Sequence, residues 1–429
     1  MFRTILKYSA SNGLQRAISF LASLLFLKVY SAADVGEYVL MQTIAQLIIP
    51  LSTLNITVAL TREAKNEIHH VSWLLKYLSC GIFGVYLFVA LIFTFAGDIR
   101  WICAAAMLGL SEALYNSLVA FLMGRENSTE VLKISLLRIF VFFILLIATY
   151  MKVIDIQTFI TVFSVFLMSM ALFILGKIIR RVQLIRRLKA QSQITISTMY
   201  GYSIATLPHT AALWVSISSD RMLLGSVYGK AMVGEYAIAF TLSQTVMVLL
   251  AGVISAMPPK IMNDIENWLN PQIILGFIRK IAIASFGITA LNLLVFYANN
   301  RFINIVPNSQ STDLITLALI SSGFFLSLFY VFFASYLYQR RNTRALTWSG
   351  FWLLPFNLAI FYALIHMFGK PGAAIGLMLA YISFGMAYGA AATRLIPELR
   401  QVIMPITLIC AAQIGSSVLL AALILELGY

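Results

Sequence analysis

VYSAADVGEY occupies residues 29–38, and VYGKAMVGEY occupies residues 227–236. Extended to 29–43 and 227–241, the two stretches share Val, Tyr, Ala, Val, Gly, Glu, Tyr and Thr at matching places. The phrase is not of low complexity, so its recurrence reads as an internal repeat. Its surroundings decide what kind of repeat it is.

Those surroundings are apolar. Of 429 residues, 61% are hydrophobic and 11% charged, where a soluble domain carries roughly 25% charged residues. The composition is that of a polytopic membrane protein. A bilayer core takes about 20 apolar residues per helix. By that ruler spans fall near 9–30, 36–60, 73–97, 100–123, 131–151 and 156–177, then 199–225, 233–256, 276–298, 313–338, 345–368 and 372–393, with a last apolar run at 402–426. The expected architecture is all-α, with two parallel six-helix lobes and an extra C-terminal helix. The expected parts are an N-lobe at 1–176, a basic amphipathic cytoplasmic linker at 177–196, a C-lobe at 197–394 and a further hydrophobic segment at 395–429.

Both copies of the phrase sit between the first and second spans of a six-span set. An even number of spans gives both halves the same orientation, so the repeats are parallel, related by an axis along the membrane normal. A second echo agrees: GRENSTEVL (124–132) precedes the fifth span, and QRRNTRALT (339–347) precedes the eleventh. Locally the phrase reads as a helix start. Ser31 with Asp34 three residues on is a capping-box pattern, and Gly229 stands where Ser31 does. Glu37 and Glu235 lie in first turns, where the helix dipole favours an acid; a proton or cation site is the other reading.

Charge is lopsided, with 30 Lys+Arg against 16 Asp+Glu. The cations lie mostly in short loops, so topology and anionic lipids explain them better than nucleic acid does. Placing the N-terminus in the cytoplasm leaves only Arg100, Lys152, Lys230, Arg301 and Lys370 in outer loops. The stretches 177–195 and 257–275 read as surface helices or plain linkers, with Pro258-Pro259 ending a span. Pro50, Pro208 and Pro355 fall within spans, as kinks or as points of bending. Cys80, Cys103 and Cys410 and the histidines form no metal motif, and no P-loop is present. No cofactor is expected. An enzyme reading lacks an Asp-x-Asp motif and a large extramembrane segment.

Two six-helix lobes with a Gly-x-Tyr turn in each, and Ser219-Asp220-Arg221 ahead of Val233-Gly234-Glu235-Tyr236, resemble the polysaccharide-transport branch of the MOP superfamily. That resemblance covers residues 1–394 and implies a Wzx-type flippase of the bacterial inner membrane. Its implied cargo is an undecaprenyl-diphosphate-linked oligosaccharide such as an O-antigen unit, moved from the cytoplasmic to the periplasmic leaflet. Polysaccharide-assembly proteins are the implied partners. The segment 402–426 departs from a twelve-helix plan. A MATE-like, ion-coupled exporter of small molecules is the alternative.

Intramembrane charge separates the two. A cation at mid-bilayer costs about 2.5–3.5 kcal/mol on insertion scales, and arginine forks suit phosphate oxygens. Arg16, Lys28, Arg138 and Arg221 are the diphosphate candidates, with snorkelling as the alternative for the first three. Asn12, His209, Trp214 and Asn357, together with Tyr200 and Tyr202, are candidate sugar contacts. Asp220 and Glu112 are candidates for coupling a proton or sodium ion, Glu112 having a purely structural alternative. Asp220 and Arg221 are adjacent on one helix and are expected to find separate partners.

Overall fold

The computed structural model describes residues 22, 25–26, 28–57, 60, 68–95, 99–125, 127–185, 196–263, 265–298, 311–340 and 342–428. Among them all regular structure is helical. In order the long helices are α1 (Ala32–Thr53), α2 (Ile68–Phe95), α3 (Arg100–Gly124), α4 (Ser128–Tyr150), α5 (Ile156–Ile185), α6 (Ile196–Tyr228), α7 (Lys230–Asn263), α8 (Pro271–Ala298), α9 (Ser311–Gln339), α10 (Thr343–Phe368), α11 (Lys370–Leu395) and α12 (Arg400–Gly428). Eleven described helices are long and apolar enough to cross a membrane. The helix α6, which carries His209, Asp220 and Arg221, is not one of them. The expected span at 9–30 falls largely outside the described residues.

The parallel repeat is visible in the packing. In the first half α3 packs on α2 and α5, and α4 packs on α5. In the second half α9 packs on α8 and α11, and α10 packs on α11. The same third, fourth, fifth and sixth helices are paired each time. Close approach depends on small residues: Gly376 faces the Phe361 ring, and Gly385 faces the Phe329 ring. The extra helix α12 packs on α8 and α9.

The weaker echo has a structural basis. Asn127 caps α4 by accepting a hydrogen bond from the Glu130 amide at 3.4 Å, and Asn342 caps α10 by accepting one from Ala345 at 3.1 Å. Their backbones match closely, φ −85° and ψ 61° against φ −85° and ψ 66°. The amides ahead of them repeat too: Asn127 N–H donates to Leu122 at 3.0 Å, and Asn342 N–H to Leu337 at 2.9 Å.

Several boundaries differ from the sequence reading. The span expected over 36–60 breaks: α1 stops at Thr53, and Leu54 and Asn55 turn left-handed at φ 49° and 56°. Residues 177–185 continue α5 without a break; the rest of that linker lies outside the described residues. Pro258-Pro259 does not end a helix, because α7 runs on to Asn263. Proline's fixed φ is compatible with a helix, and what it costs is a backbone donor and a clash with the preceding turn rather than the helix itself. The stretch 257–275 is therefore the end of α7, a short 3₁₀ turn at Asn267–Leu269 and the start of α8, not a surface helix.

The chain forms two compact units that do not follow the halves of the sequence. One contains the described residues of Leu40–Ala211; the other contains those of Asn12–Val39 together with those of Ala212–Tyr429. Helix α1 changes unit after Val39, and α6 after Ala211.

The two asparagine caps yield a prediction. Asn127→Ala and Asn342→Ala should each lower stability by about 1 kcal/mol, read as similar drops in the Tm of the detergent-purified protein. A drop at one site alone would show that the two turns do not carry equal weight.

Candidate functional site

The two copies of the phrase meet. Ser31 caps α1 as expected: its hydroxyl donates to Asp34 at 2.6 Å, and the Asp34 amide donates back at 3.3 Å. Gly229 opens α7 at φ +85°, a conformation natural only to glycine. The second unit then packs the two helix starts against each other. A methyl group built on Gly36 would overlap the Lys230 carbonyl, and one built on Gly234 would overlap the Ala32 carbonyl. Residue 32 matches residue 230 in the repeat, and 36 matches 234. The contact is therefore reciprocal, as across a local two-fold axis.

Side chains follow this backbone contact. Glu37 pairs with Lys230 at 2.6 Å, both half-exposed. Its repeat mate Glu235 pairs with Lys370 at 3.1 Å, and Lys370 also meets Asp313 at 2.7 Å. Lys370 and Asp313 are buried. A lysine at the start of α11 opposes the helix dipole, and the two carboxylates offset that. Both phrase glutamates thus form ion pairs. In the sequence Lys370 counts only as an outer-loop charge, and Asp313 carries no reading of its own.

The last phrase residue, Tyr236, reaches the charged pair on α6. Its hydroxyl donates to Asp220 Oδ2 at 2.9 Å. The other carboxylate oxygen accepts from the Arg221 amide at 2.8 Å and from Arg221 Nε at 3.2 Å. The expectation that Asp220 and Arg221 need separate partners is therefore corrected. Successive side chains on a helix diverge, but the long arginine folds back around a carboxylate already fixed by its neighbour's amide. The guanidinium lies over Phe240, 4.4 Å from the ring centre, and its far nitrogen donates to Ser218 at 3.4 Å. Asp220 is 0% exposed and Arg221 7%. In the first half the place of Asp220 is held by Ala22 and Tyr38 packs edge-on to Phe26, so this charged cluster belongs to one half only.

In the first unit, Arg138 forms an ion pair with Glu112 and lies 4.8 Å from the centre of the Tyr115 ring. A candidate phosphate ligand and a candidate ion-coupling acid are thus partners. His209 is buried. Close by in sequence, Thr206 and Thr210 accept hydrogen bonds from Asn55 at 2.9 and 3.0 Å. Asn357 bridges helices: its amide donates to Ser216 at 3.5 Å, and its oxygen accepts from Ser383 at 3.1 Å. Trp214 is buried, and its indole N–H finds no acceptor among the described residues. Trp214, Ser218 and Arg221 stand at helical spacing along one stripe of α6. Lys28 is exposed. Arg16 and Asn12 lie outside the described residues.

Comparison with solved structures places the fold. A Vibrio cholerae MATE transporter, VcmN in its bent form, matches with a TM-score of 0.59 at 15% identity, over 94% of this chain and 98% of its own. An outward-facing multidrug resistance MATE transporter of the MOP superfamily matches with a TM-score of 0.61 at 14% identity, over 93% and 96%. The lipid II flippase MurJ, in an inward closed conformation, matches with a TM-score of 0.60 at 14% identity, over 100% of this chain and 98% of its own. No family model and no curated protein matches the chain. The fold is the one shared by MATE transporters and the MurJ flippase.

The ion pairs make a testable statement about stability. Removing one partner of a buried pair costs about 3–5 kcal/mol, while replacing both by apolar groups is often neutral. Arg138→Leu alone should lower the Tm more than the double change Glu112→Leu with Arg138→Leu. Equal losses would mean that the two side chains are not coupled.

Proposed function

We propose that the protein is a flippase for a lipid-linked oligosaccharide, carrying an undecaprenyl-diphosphate-linked repeat unit across the bacterial inner membrane by alternating access. The observation that carries the reading is the stripe on α6. A buried indole donor with no acceptor among the described residues stands two turns, about 10 Å, from a buried arginine. An N–H donor beside an aromatic face suits a sugar ring, and a guanidinium suits a diphosphate. The comparison adds support. The match to the lipid II flippase spans the whole chain, while the two MATE matches leave uncovered a portion about the size of one helix.

Arg221 is held by Asp220, whose other carboxylate oxygen accepts from Tyr236, in this conformation. Cargo phosphate must therefore displace a carboxylate. The Asp220 carboxylate and the cargo diphosphate compete for one guanidinium. Departure of the cargo restores the Asp220–Arg221 contact. Arg138 and Glu112 offer the same exchange in the first unit. The loop charges fit an N-terminus in the cytoplasm. The MATE-like reading draws on the same acids, each within its own unit: a carboxylate that sheds its arginine attracts a cationic drug.

The deciding experiment is lipid extraction from cells lacking the protein, with mass analysis of lipid-linked glycans and a surface-glycan stain. Accumulated diphosphate-linked oligosaccharide with loss of surface polymer is the expected result. Unchanged lipid-linked glycan together with retention of small cationic dyes would replace the flippase with a drug exporter.

Within the flippase reading, Arg221→Ala and Arg16→Ala should each leave membrane insertion intact and cut transport by at least tenfold, measured as surface polymer in the complemented strain. Normal transport by both variants would remove the phosphate-clamp assignment.

A further inference from the structure

A serine buried in a helix commonly donates its hydroxyl back to a carbonyl of its own turn. This chain does so often. Ser79, Ser117, Ser243 and Ser335 donate to the carbonyl four residues back, at 2.6, 2.8, 2.8 and 2.7 Å. Ser285, Ser322 and Ser417 do not. Each is 0% exposed, and its hydroxyl has no partner among the described residues. The side-chain nitrogen of Gln413, a residue 5% exposed, has none there either.

These four residues stand on α8, α9 and α12, which pack on one another and lie in the second unit. They also share one level. Successive spans run in opposite directions, so the starts of α8 and α12 and the end of α9 lie on one side of the membrane. Counted from those ends at about 1.5 Å per residue, all four lie about 20–26 Å along their helices. The helices have 28, 29 and 29 residues, about 42–44 Å, so this level is the middle of each. On α12 the buried residues Cys410, Gln413, Ser417 and Ala421 follow one another at steps of three or four, which is a single face. On α8 Ser285 belongs to the buried file Ile281, Ser285, Thr289 and Asn292.

The neighbouring contacts with α7 are complete without help. Ser243 donates to the Leu317 carbonyl at 3.1 Å and accepts from Ser321 at 3.1 Å. Asn292 donates to the Leu242 carbonyl at 3.1 Å and to Thr245 at 2.7 Å. Protein satisfies protein on that side, and on the α12 side it does not. Polar groups left unpaired away from water are costly, and at mid-bilayer lipid offers them nothing.

We propose that α8, α9 and α12 enclose a small water site at mid-membrane, where bound water joins Gln413 and Ser417 to Ser285 and Ser322. The chemistry of the set selects the ligand. An amide nitrogen only donates, and a hydroxyl both donates and accepts. Water accepts from the first and exchanges with the others, and a buried water typically makes about three such bonds. A cation would face the donor of Gln413. Lipid tails and apolar side chains hold an apolar helix in no particular rotation, whereas shared polar contacts do. The site therefore fixes the depth and rotation of α12, the extra helix, on the second unit.

The test compares the detergent-purified full chain with Ser285→Ala, Ser417→Ala and Gln413→Met. Each change takes a partner from the bound water, so each should lower the Tm by a few degrees. The double change Ser285→Ala with Ser417→Ala should cost less than the two single losses together, because both act on one site. A Tm that holds or rises would overturn the proposal, since removing a hydroxyl that nothing satisfies brings relief. Strictly additive losses would place the serines at separate sites and overturn it as well. Should Gln413→Met fail to insert, the two serine changes, each of a single atom, carry the test. A cation is checked by repeating the measurement in sodium, potassium and choline chloride. Wild type and Ser417→Ala should respond alike; a stabilisation by sodium or potassium that Ser417→Ala loses would replace water with the ion. The assay uses no cargo, so its failure and that of the flippase reading are separate results.

Discussion

Two backbones come together at Gly36 and Gly234, and most of the described site depends on that approach. Any side chain at either position would run into a carbonyl on the other copy, and a carbonyl cannot turn aside as a side chain does. The contact exists because the same short phrase was placed at the start of two equivalent helices. Once the backbones touch, the residues after each glycine are brought to matched places. Their uses then diverge. Glu37 crosses to Lys230, while Glu235 turns to Lys370 and through it to Asp313. Tyr236 reaches Asp220, whereas the matching place near Tyr38 holds Ala22. The symmetry belongs to the backbone, and the asymmetry of the side chains puts the Asp220–Arg221 cluster in one half.

Much of this architecture was legible because it is written in one dimension. Apolar run lengths gave the spans, and the phrase together with its echo gave the parallel repeat. Even Asn127 and Asn342 were findable, since a cap is a local device of a residue and the turn that follows it. What escaped reading depends on contacts across the fold. No glycine marks the break at Leu54–Asn55; the turn is held by threonines roughly 150 residues away, whose hydroxyls the local sequence cannot place. Lys370 is only an outer-loop charge in the sequence, and nothing local ties it to Asp313 until α9 and α11 bring them together. Pro258-Pro259 failed as a stop signal because proline's fixed φ is itself helical.

The adjacent acid and base carry a different lesson. Helical spacing argues against neighbours pairing, and for short side chains that argument holds. Asp220 escapes it because its first hydrogen bond is to the amide of Arg221, not to the side chain. With the carboxylate anchored one residue ahead, the guanidinium has only to curl back. Phe240 then covers its face, and Ser218 takes the far nitrogen.

Stability alone is a poor reason for such a cluster. Moving two charges out of water costs several kcal/mol per ion before their attraction offsets it, and apolar replacements of similar volume are often as stable or more so. On the proposed flippase reading, the two buried or half-buried arginine–carboxylate pairs, one in each unit, are interactions to be exchanged rather than interactions that must persist. An ion pair is well suited to exchange. Its attraction changes sharply when one partner gains a proton or when a competing anion arrives, whereas a packed hydrocarbon contact responds to neither. On that flippase reading, a chain that keeps its charges in exchangeable pairs can pass an arginine from a carboxylate to a phosphate and back.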